Sequence, residues 1–302
     1  MRFYHLLLMF LLVFTWWGCD ESETPIKVSL KEGNQSQGIQ ASDKEPLRLA
    51  IASVVSPDKA FKYYEQLIDY LSAKLLQPIK LIQRESYREI NDLMKLGKID
   101  VAMVCSGAYV LGKSDFGMEL LVAPEMMGKT VYYSYIIVSS SADAQVLQDL
   151  KGKSFAFTDP LSNSGRLSPT YILKTQLGEK PETFFKEIKF TYSHDLSIKA
   201  VAQGKVYGAA VDSLVYDYFK RTEQGLIAQT KVINISSAYG IPPFVVYPGL
   251  DPVIKKQLRD VFLNMHMDTT GKQILGNLMI DRFVVVDDNL YDSIRKMEEA
   301  LK

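Results

Sequence analysis

The chain has 302 residues, 47% hydrophobic and 23% charged, with 35 basic side chains balanced by 35 acidic ones. That length leaves room for about two lobes around a sizeable core, and the composition excludes disordered and collagen-like chains. Zero net charge provides no broad positive field, so no nucleic-acid partner is expected. Two cysteines, Cys19 and Cys105, exclude a disulfide scaffold and a four-cysteine zinc site.

Arg2 and His5 precede an apolar run from Leu6 to Trp17, too short for the roughly 20 residues that a bilayer span needs. A basic start, a short apolar region and a small residue describe a secretory signal peptide over residues 1–18. Gly18 stands directly before Cys19. This junction resembles the lipobox of bacterial lipoproteins, although Trp16 and Trp17 depart from its usual residues. The resemblance implies a lipid on Cys19 and attachment to a membrane surface; an uncleaved anchor or cleavage nearby is the plainer alternative. Residues 19–45 then form a polar stretch, exemplified by Glu32 to Gly38, that reads as a flexible tether.

From Pro46 onward, apolar runs alternate with segments of helical period. Leu47 to Val55 reads as a buried strand, and Phe61, Tyr64, Leu67, Ile68, Leu71 and Leu75 mark the face of a helix. Ile79 to Ile82 is a strand, Tyr87 to Leu96 a helix closed by Gly97, and Ile99 to Val104 a strand. The pattern repeats as strand Ser154–Thr158, helix Leu167–Leu177, strand Ile188–Thr191, helix Ile198–Gln203 and strand Tyr207–Val211. Strands follow at Val232–Ile235 and Phe244–Tyr247, then helices over Asp251–Met267 and from Tyr291 onward. Such alternation predicts an α/β protein with mixed, mostly parallel sheets and helices on both faces. Two series predict two lobes, 46–137 with 236–302 and 138–235, with a ligand cleft between them.

The densest local signal is Thr158-Asp159-Pro160-Leu161-Ser162-Asn163-Ser164-Gly165-Arg166-Leu167-Ser168-Pro169, which follows a strand and opens a helix. Ser162, Asn163 and Ser164 gather where free N–H groups and the helix dipole favour an anion, and Gly165 allows close backbone approach. A plain helix cap would use the same residue types.

This loop, of the form D-P-x-S-x-S-G-x-x-x-P, resembles the oxyanion loop of the phosphate/phosphite/phosphonate-binding proteins of ABC importers. Ser193-His194-Asp195, Ile198 to Ala202 and Val211-Asp212-Ser213 are similar to the same family's second lobe, and Tyr64–Leu75 and Asp100–Tyr109 to its first. The resemblance spans about residues 46–300 and implies a two-lobed, type II periplasmic-binding fold that closes on its ligand. It implies that Ser162, Asn163, Ser164 and Gly165 bind phosphorus-bound oxygens, with His194, neutral or protonated, as a further donor. Asp212 would accept a proton from a phosphorus-bound hydroxyl, or else caps a helix. Ser106 and Tyr109, in a turn after Cys105, and Tyr63 or Tyr64 would close over the ligand from the first lobe. Leu214 and Gly240-Ile241-Pro242-Pro243 stand where aminoethylphosphonate binders of the family carry acidic residues, which argues against an ammonium-bearing ligand.

The implied function is that of an extracytoplasmic lipoprotein, in the periplasm or at the cell surface, capturing phosphonate, phosphite or phosphate for an ABC permease in the inner membrane. A lipoprotein of the same fold that signals to a membrane receptor or kinase is the alternative. No catalysis, cofactor or metal is expected. The chain has no Gly-rich phosphate loop with Lys, no G-x-S-x-G and no H-E-x-x-H motif. It has only three histidines, of which His5 lies in the leader, and Cys105 follows a buried strand as a packing residue.

Overall fold

Mostly apolar runs of two to seven residues form the strands and amphipathic segments form the helices between them. In chain order these are β1 (Leu47–Ile51), α1 (Pro57–Leu75), β2 (Ile79–Ile82), α2 (Tyr87–Lys95), β3 (Val101–Met103), α3 (Ser106–Phe116), β4 (Glu119–Glu125), β5 (Val131–Tyr132) and β6 (Ser134–Ser139). Next come β7 (Ser154–Phe157), α4 (Ser168–Ile172), α5 (Pro181–Phe184), β8 (Glu187–Phe190), α6 (His194–Ala202), β9 (Gly208–Asp212), α7 (Ser213–Thr222), α8 (Gln224–Ile227) and β10 (Thr230–Ile235). The chain ends with β11 (Tyr239–Gly240), β12 (Phe244–Val246), α9 (Pro252–Asn264), α10 (Thr269–Asn277), β13 (Arg282–Val284) and α11 (Asp292–Leu301). The computed structural model describes residues 44–302 except Ser56. The signal peptide, the lipid on Cys19 and nearly all of the tether lie outside the described residues.

One sheet has six strands in the order β13-β4-β12-β3-β1-β2; the other has five, β10-β6-β9-β7-β8. Between them, β5 and β11 pair as a short antiparallel ribbon where the chain crosses from one sheet to the other and back. Parallel pairing is confined to β2-β1-β3 and β8-β7-β9. The remaining pairings of both sheets are antiparallel, so the sheets are mixed rather than mostly parallel. The reason is topological: β4, β6, β10 and β12 flank the crossings, and a strand that leaves or returns across the ribbon enters its sheet reversed, without a helical crossover.

Helix α2 shows how the local code works. Ser86 accepts from the Glu89 N–H while the Glu89 carboxylate accepts from the Ser86 N–H, a reciprocal cap. Tyr87, Ile90, Asn91 and Met94 then recur on one buried face. That face packs under β1 and β3 with Ala50, Ala102 and Val104, and with Tyr109 of α3 and Ile294 of α11. A second cluster in the five-stranded sheet's half joins Ile136, Val138, Leu150, Phe155 and Phe157, where Phe155 stacks on Phe185 at 4.2 Å between centroids. The largest cluster runs through both lobes, from Leu49 and Leu71 to Val211 and Phe219.

Candidate functional site

The carboxyl ends of β1, β3, β7 and β9 point at one interior region between the sheets, the place where open α/β sheets hold ligands. Of these strands, β9 runs directly into α7, β3 is followed after two residues by α3 and β7 after five by the helical turn Asn163–Leu167, and α2 and α6 also begin here. Polar contacts across this region join the lobes. The His194 N–H donates to the Val54 carbonyl at 3.0 Å, the Tyr87 N–H to Asp159 Oδ2 at 3.1 Å, and the Asn163 N–H to Cys105 Sγ at 3.4 Å. Gly107, in the first turn of α3, is a point of close backbone approach. A Cβ there would lie 2.6 Å from the Leu161 carbonyl oxygen, so a larger residue would force the lobes apart.

Several N-terminal helix ends, with their partial positive charge, therefore converge on one buried polar region. The helical turn Asn163–Leu167 is wound wide: the Leu167 and Ser168 N–H groups reach back five residues, to Ser162 and Asn163. Ser162 Oγ accepts the Gly165 N–H at 2.9 Å. Asn163 Nδ2 donates to Tyr132 Oη at 3.0 Å, and Tyr132 Oη pairs with Ser106 Oγ at 2.8 Å. The Ser164 carbonyl accepts from Ser134 Oγ at 2.6 Å, and Ser134 stands opposite Asp212 in the β6–β9 register. After these bonds, Tyr87 Oη, Asn163 Oδ1 and Ser164 Oγ are buried without a hydrogen-bond partner among the described residues. Buried polar atoms in that state are costly, about 1–3 kcal/mol each, and call for an explanation.

The electrostatics are unusual for an anion site: among the described residues no Lys or Arg acts on His194 or Asp212, and the exposed Arg88 acts on Asp159. His194 Nδ1 accepts the Asp212 N–H at 3.0 Å and lies 3.0 Å from Thr158 Oγ1. An acceptor Nδ1 puts the ring proton on Nε2. Burial drives the imidazolium down to about 3, so His194 is neutral at physiological pH. Asp212 caps α7, with Oδ1 accepting the Leu214 N–H at 2.7 Å. Burial nevertheless raises its carboxyl to about 7, outweighing the N–H groups of Leu214 and Val215. Asp159 is also raised by burial, against the pull of the Leu161 and Tyr87 N–H groups and of Arg88. The Tyr87 and Tyr132 hydroxyls are pushed well up by burial and are neutral donors.

The residues predicted from sequence divide as follows. Ser106, Ser162, Asn163, Ser164, His194 and Asp212 are brought together. Ser106 lies in the first turn of α3 rather than in a loop turn, because Cys105 is the cap and the helix begins directly after it. Tyr64 stands at the edge of the region beside Asp212, its hydroxyl donating to Met103 Sδ at 3.1 Å; the Tyr63 side chain lies outside the described residues. Tyr109 is directed elsewhere: its ring packs on Tyr291 and its hydroxyl donates to Asp288. Gly165 is small for a different reason from the expected one. Its N–H and carbonyl are spent on Ser162 and Thr158, and a Cβ would lie 2.5 Å from the Thr158 side chain. The sequence reading passed over Tyr87, Tyr132 and Thr158, and it read Cys105 as packing alone. Tyr87 looks like one more apolar position of an amphipathic helix; its place at the first residue after a capping Ser was the available signal. Among the described residues no group of three or more His, Cys, Asp or Glu is placed to hold a metal.

Two α/β lobes joined by a double crossing, with a buried polar cluster between them, define a two-lobed solute-binding protein. Residues 49–291 match the family model of the phosphonate ABC transporter periplasmic substrate-binding proteins, and the chain belongs to that family. It is similar to a probable phosphite-binding ABC transporter protein of Prochlorococcus marinus, at 26% identity over 54% of this chain and 57% of that one. A phosphate-import protein of Mycolicibacterium smegmatis shares 29% identity over 66% of this chain and 65% of its own length. In both cases the match spans under two thirds of the relative. Among solved structures, a binding-protein component of a Pseudomonas aeruginosa phosphonate transporter aligns with TM-score 0.80 at 24% identity, covering 84% of this chain and 86% of that one. A Prochlorococcus marinus protein in complex with methylphosphonate aligns with TM-score 0.77 at 21% identity, covering 84% of this chain and 97% of that one. These likenesses carry the fold. The family is one of transport binding proteins rather than enzymes, and it acts outside the cytoplasm.

Proposed function

We propose that this protein captures a small phosphorus oxyanion between its lobes and delivers it to an ABC permease, without chemistry. In this reading residues 1–18 are removed, a lipid on Cys19 anchors the chain, residues 19–45 tether it, and the lobes are 46–137 with 236–302 and 138–235. The observation that carries the reading is the trio of buried, unpartnered polar atoms, Tyr87 Oη, Asn163 Oδ1 and Ser164 Oγ, among converging helix ends. Tyr87 and Ser164 donate to phosphorus-bound oxygens, and Asn163 Oδ1 accepts from a phosphorus-bound hydroxyl. Asp212, mostly protonated below pH 7, donates as well, and His194 offers its Nε2 proton. The names of the relatives, which speak of phosphite, phosphate and methylphosphonate, support the same ligand class.

Isothermal calorimetry of the full chain in detergent with phosphite, phosphate and methylphosphonate tests the proposal. Saturable binding of at least one of them is expected, and silence towards all three refutes it.

A further inference from the structure

The amino ends of β1, β2 and β3 form a rim at the end of the six-stranded sheet opposite to the polar cluster. Four of the eleven large apolar side chains that are exposed among the described residues lie around it. These are Leu76, Leu96, Val253 and Met267, each between 63% and 74% exposed. Leu76 and Gln77 lead into β2, whose Ile79 pairs with Leu47 of β1. Leu96 leads into β3, and its neighbour Gly97 faces the Tyr247 ring, 3.3 Å from where a Cβ would stand. Strand β12 ends here too, with Val246 opposite Val101, and Val253 lies in the first turn of the helix that follows. Met267 adjoins Asp268, which pairs at 3.0 Å with Lys74 in the last turn of α1. Single exposed apolar residues are ordinary, whereas several on one rim mark a contact surface. The segment that leads back to Cys19 joins the body on this same rim. Gln77 Nε2 donates to the Glu45 carbonyl at 2.7 Å, and the Leu47 N–H to the Pro78 carbonyl at 2.9 Å.

We infer that this rim docks on the surface of the bilayer, its apolar side chains dipping among the lipid headgroups. The inference rests on the lipid on Cys19 in the reading above and gives the anchored protein an orientation. Residues 20–45 reach at most about 90 Å when fully extended, at ~3.3–3.6 Å each. Anchoring therefore turns a weak surface contact into an intramolecular step at high effective concentration. Each apolar side chain withdrawn from water favours the docked state about tenfold or more. The rim and the polar cluster lie at opposite ends of β1 and β3, so docking leaves the cluster accessible. It engages the six-stranded sheet's lobe alone, so the other lobe stays free to move.

Both tryptophans of the chain, Trp16 and Trp17, lie within residues 1–18, so the processed lipoprotein accepts a single tryptophan as reporter. Leu96→Trp is placed on the rim and Val146→Trp, ahead of β7 in the other lobe, serves as reference. Each is purified as the lipoprotein and reconstituted into vesicles of phosphatidylethanolamine and phosphatidylglycerol, with and without brominated acyl chains. The Leu96→Trp emission should shift to the blue and be quenched by the brominated lipid, and the Val146→Trp emission should do neither. Adding Leu76→Glu and Val253→Glu should abolish both effects, because each change lowers the docked-to-free ratio about tenfold or more. Leu96→Trp emission that stays unshifted on vesicles carrying the protein, or equal quenching of both reporters, overturns the inference and leaves the anchor standing. A blue shift that grows with protein density and is not quenched assigns the rim to a second copy of the chain and overturns it as well. A mass spectrum showing Cys19 unmodified overturns the anchor, and this inference with it.

Discussion

The site should weaken as pH rises, and Asp212 is the reason. Its carboxyl titrates at about 7 in the folded protein because burial disfavours the charged form. A bound oxyanion brings a second negative charge into a cluster that contains no cation among the described residues. Two like charges in one desolvated volume raise each other's pKa, so the complex keeps Asp212 protonated and only the protonated fraction of free protein is competent to bind. The apparent dissociation constant then scales as one plus ten to the power of pH minus 7. That factor is about 1.1 at pH 6 and about 11 at pH 8, a tenfold loss equivalent to ~1.4 kcal/mol. The ligand's own ionisation also changes over this range, so the comparison needs a reference, which Asp212→Asn provides. Asparagine mimics the neutral carboxyl, and its amide oxygen can still cap α7 at the Leu214 N–H. With methylphosphonate as the probe, wild type and variant should bind alike at pH 6, and the variant about tenfold more tightly at pH 8. A ratio that stays constant from pH 6 to 8 refutes the argument. A variant that binds weakly throughout does so too, because it would mean that ionised Asp212 is required as an acceptor.

Tyr87→Phe removes a buried hydroxyl that has no hydrogen-bond partner among the described residues. The unliganded protein should therefore melt no lower than wild type, while the affinity for methylphosphonate falls about tenfold or more through loss of a donor to a charged group; a lowered melting temperature with unchanged affinity would assign the hydroxyl to structure instead. Gly165→Ala places a methyl group against Thr158 and should cost about 1–3 kcal/mol, several degrees in thermal melting; an unchanged melting temperature would mean that the loop yields without cost.

Much of this architecture was legible from local pattern. The α2 boundaries follow from Ser86, Glu89 and the spacing of Ile90 and Met94, and β2 falls where Ile79 to Ile82 predicts it. Helix α3 was hidden because Gly107 and Gly112 interrupt its apolar period; both are small for tertiary reasons, one facing Leu161 of the other lobe and the other facing Met118. Strand direction was hidden as well, since whether β4 or β12 runs parallel depends on where the chain crosses between sheets and not on its own residues. For the candidate site, motif resemblance pointed to the Ser162–Ser164 loop, His194 and Asp212, which the fold brings together. It could not locate Tyr132, which owes its place to the crossing ribbon between β5 and β11, or divert Tyr109, whose partner Asp288 lies 179 residues away.

An anion site with buried acids and no cation among the described residues is inverted at first sight, but the balance follows from what each side chain can still exchange. Asp159 is saturated by its own helix ends, with one carboxylate oxygen on the Leu161 N–H and the other on the Tyr87 N–H. It acts as a fixed link between the lobes and no longer as a free acid. His194 is held neutral, its Nδ1 engaged by the Asp212 N–H. What remains for a ligand is a set of neutral donors, Tyr87, Ser164, His194 Nε2 and protonated Asp212, with the neutral acceptor Asn163 Oδ1. That set matches an oxyanion carrying a single proton: the donors meet its bare oxygens, and its hydroxyl satisfies Asn163. A fully deprotonated tetrahedral anion leaves the acceptor unpaired and adds a second charge that no cation offsets, and each of those defects costs on the order of 1–3 kcal/mol. On the proposed reading, the absence of lysine and arginine among the described residues of the cluster would favour the singly charged form, because a cation would hold the doubly charged form at least as readily.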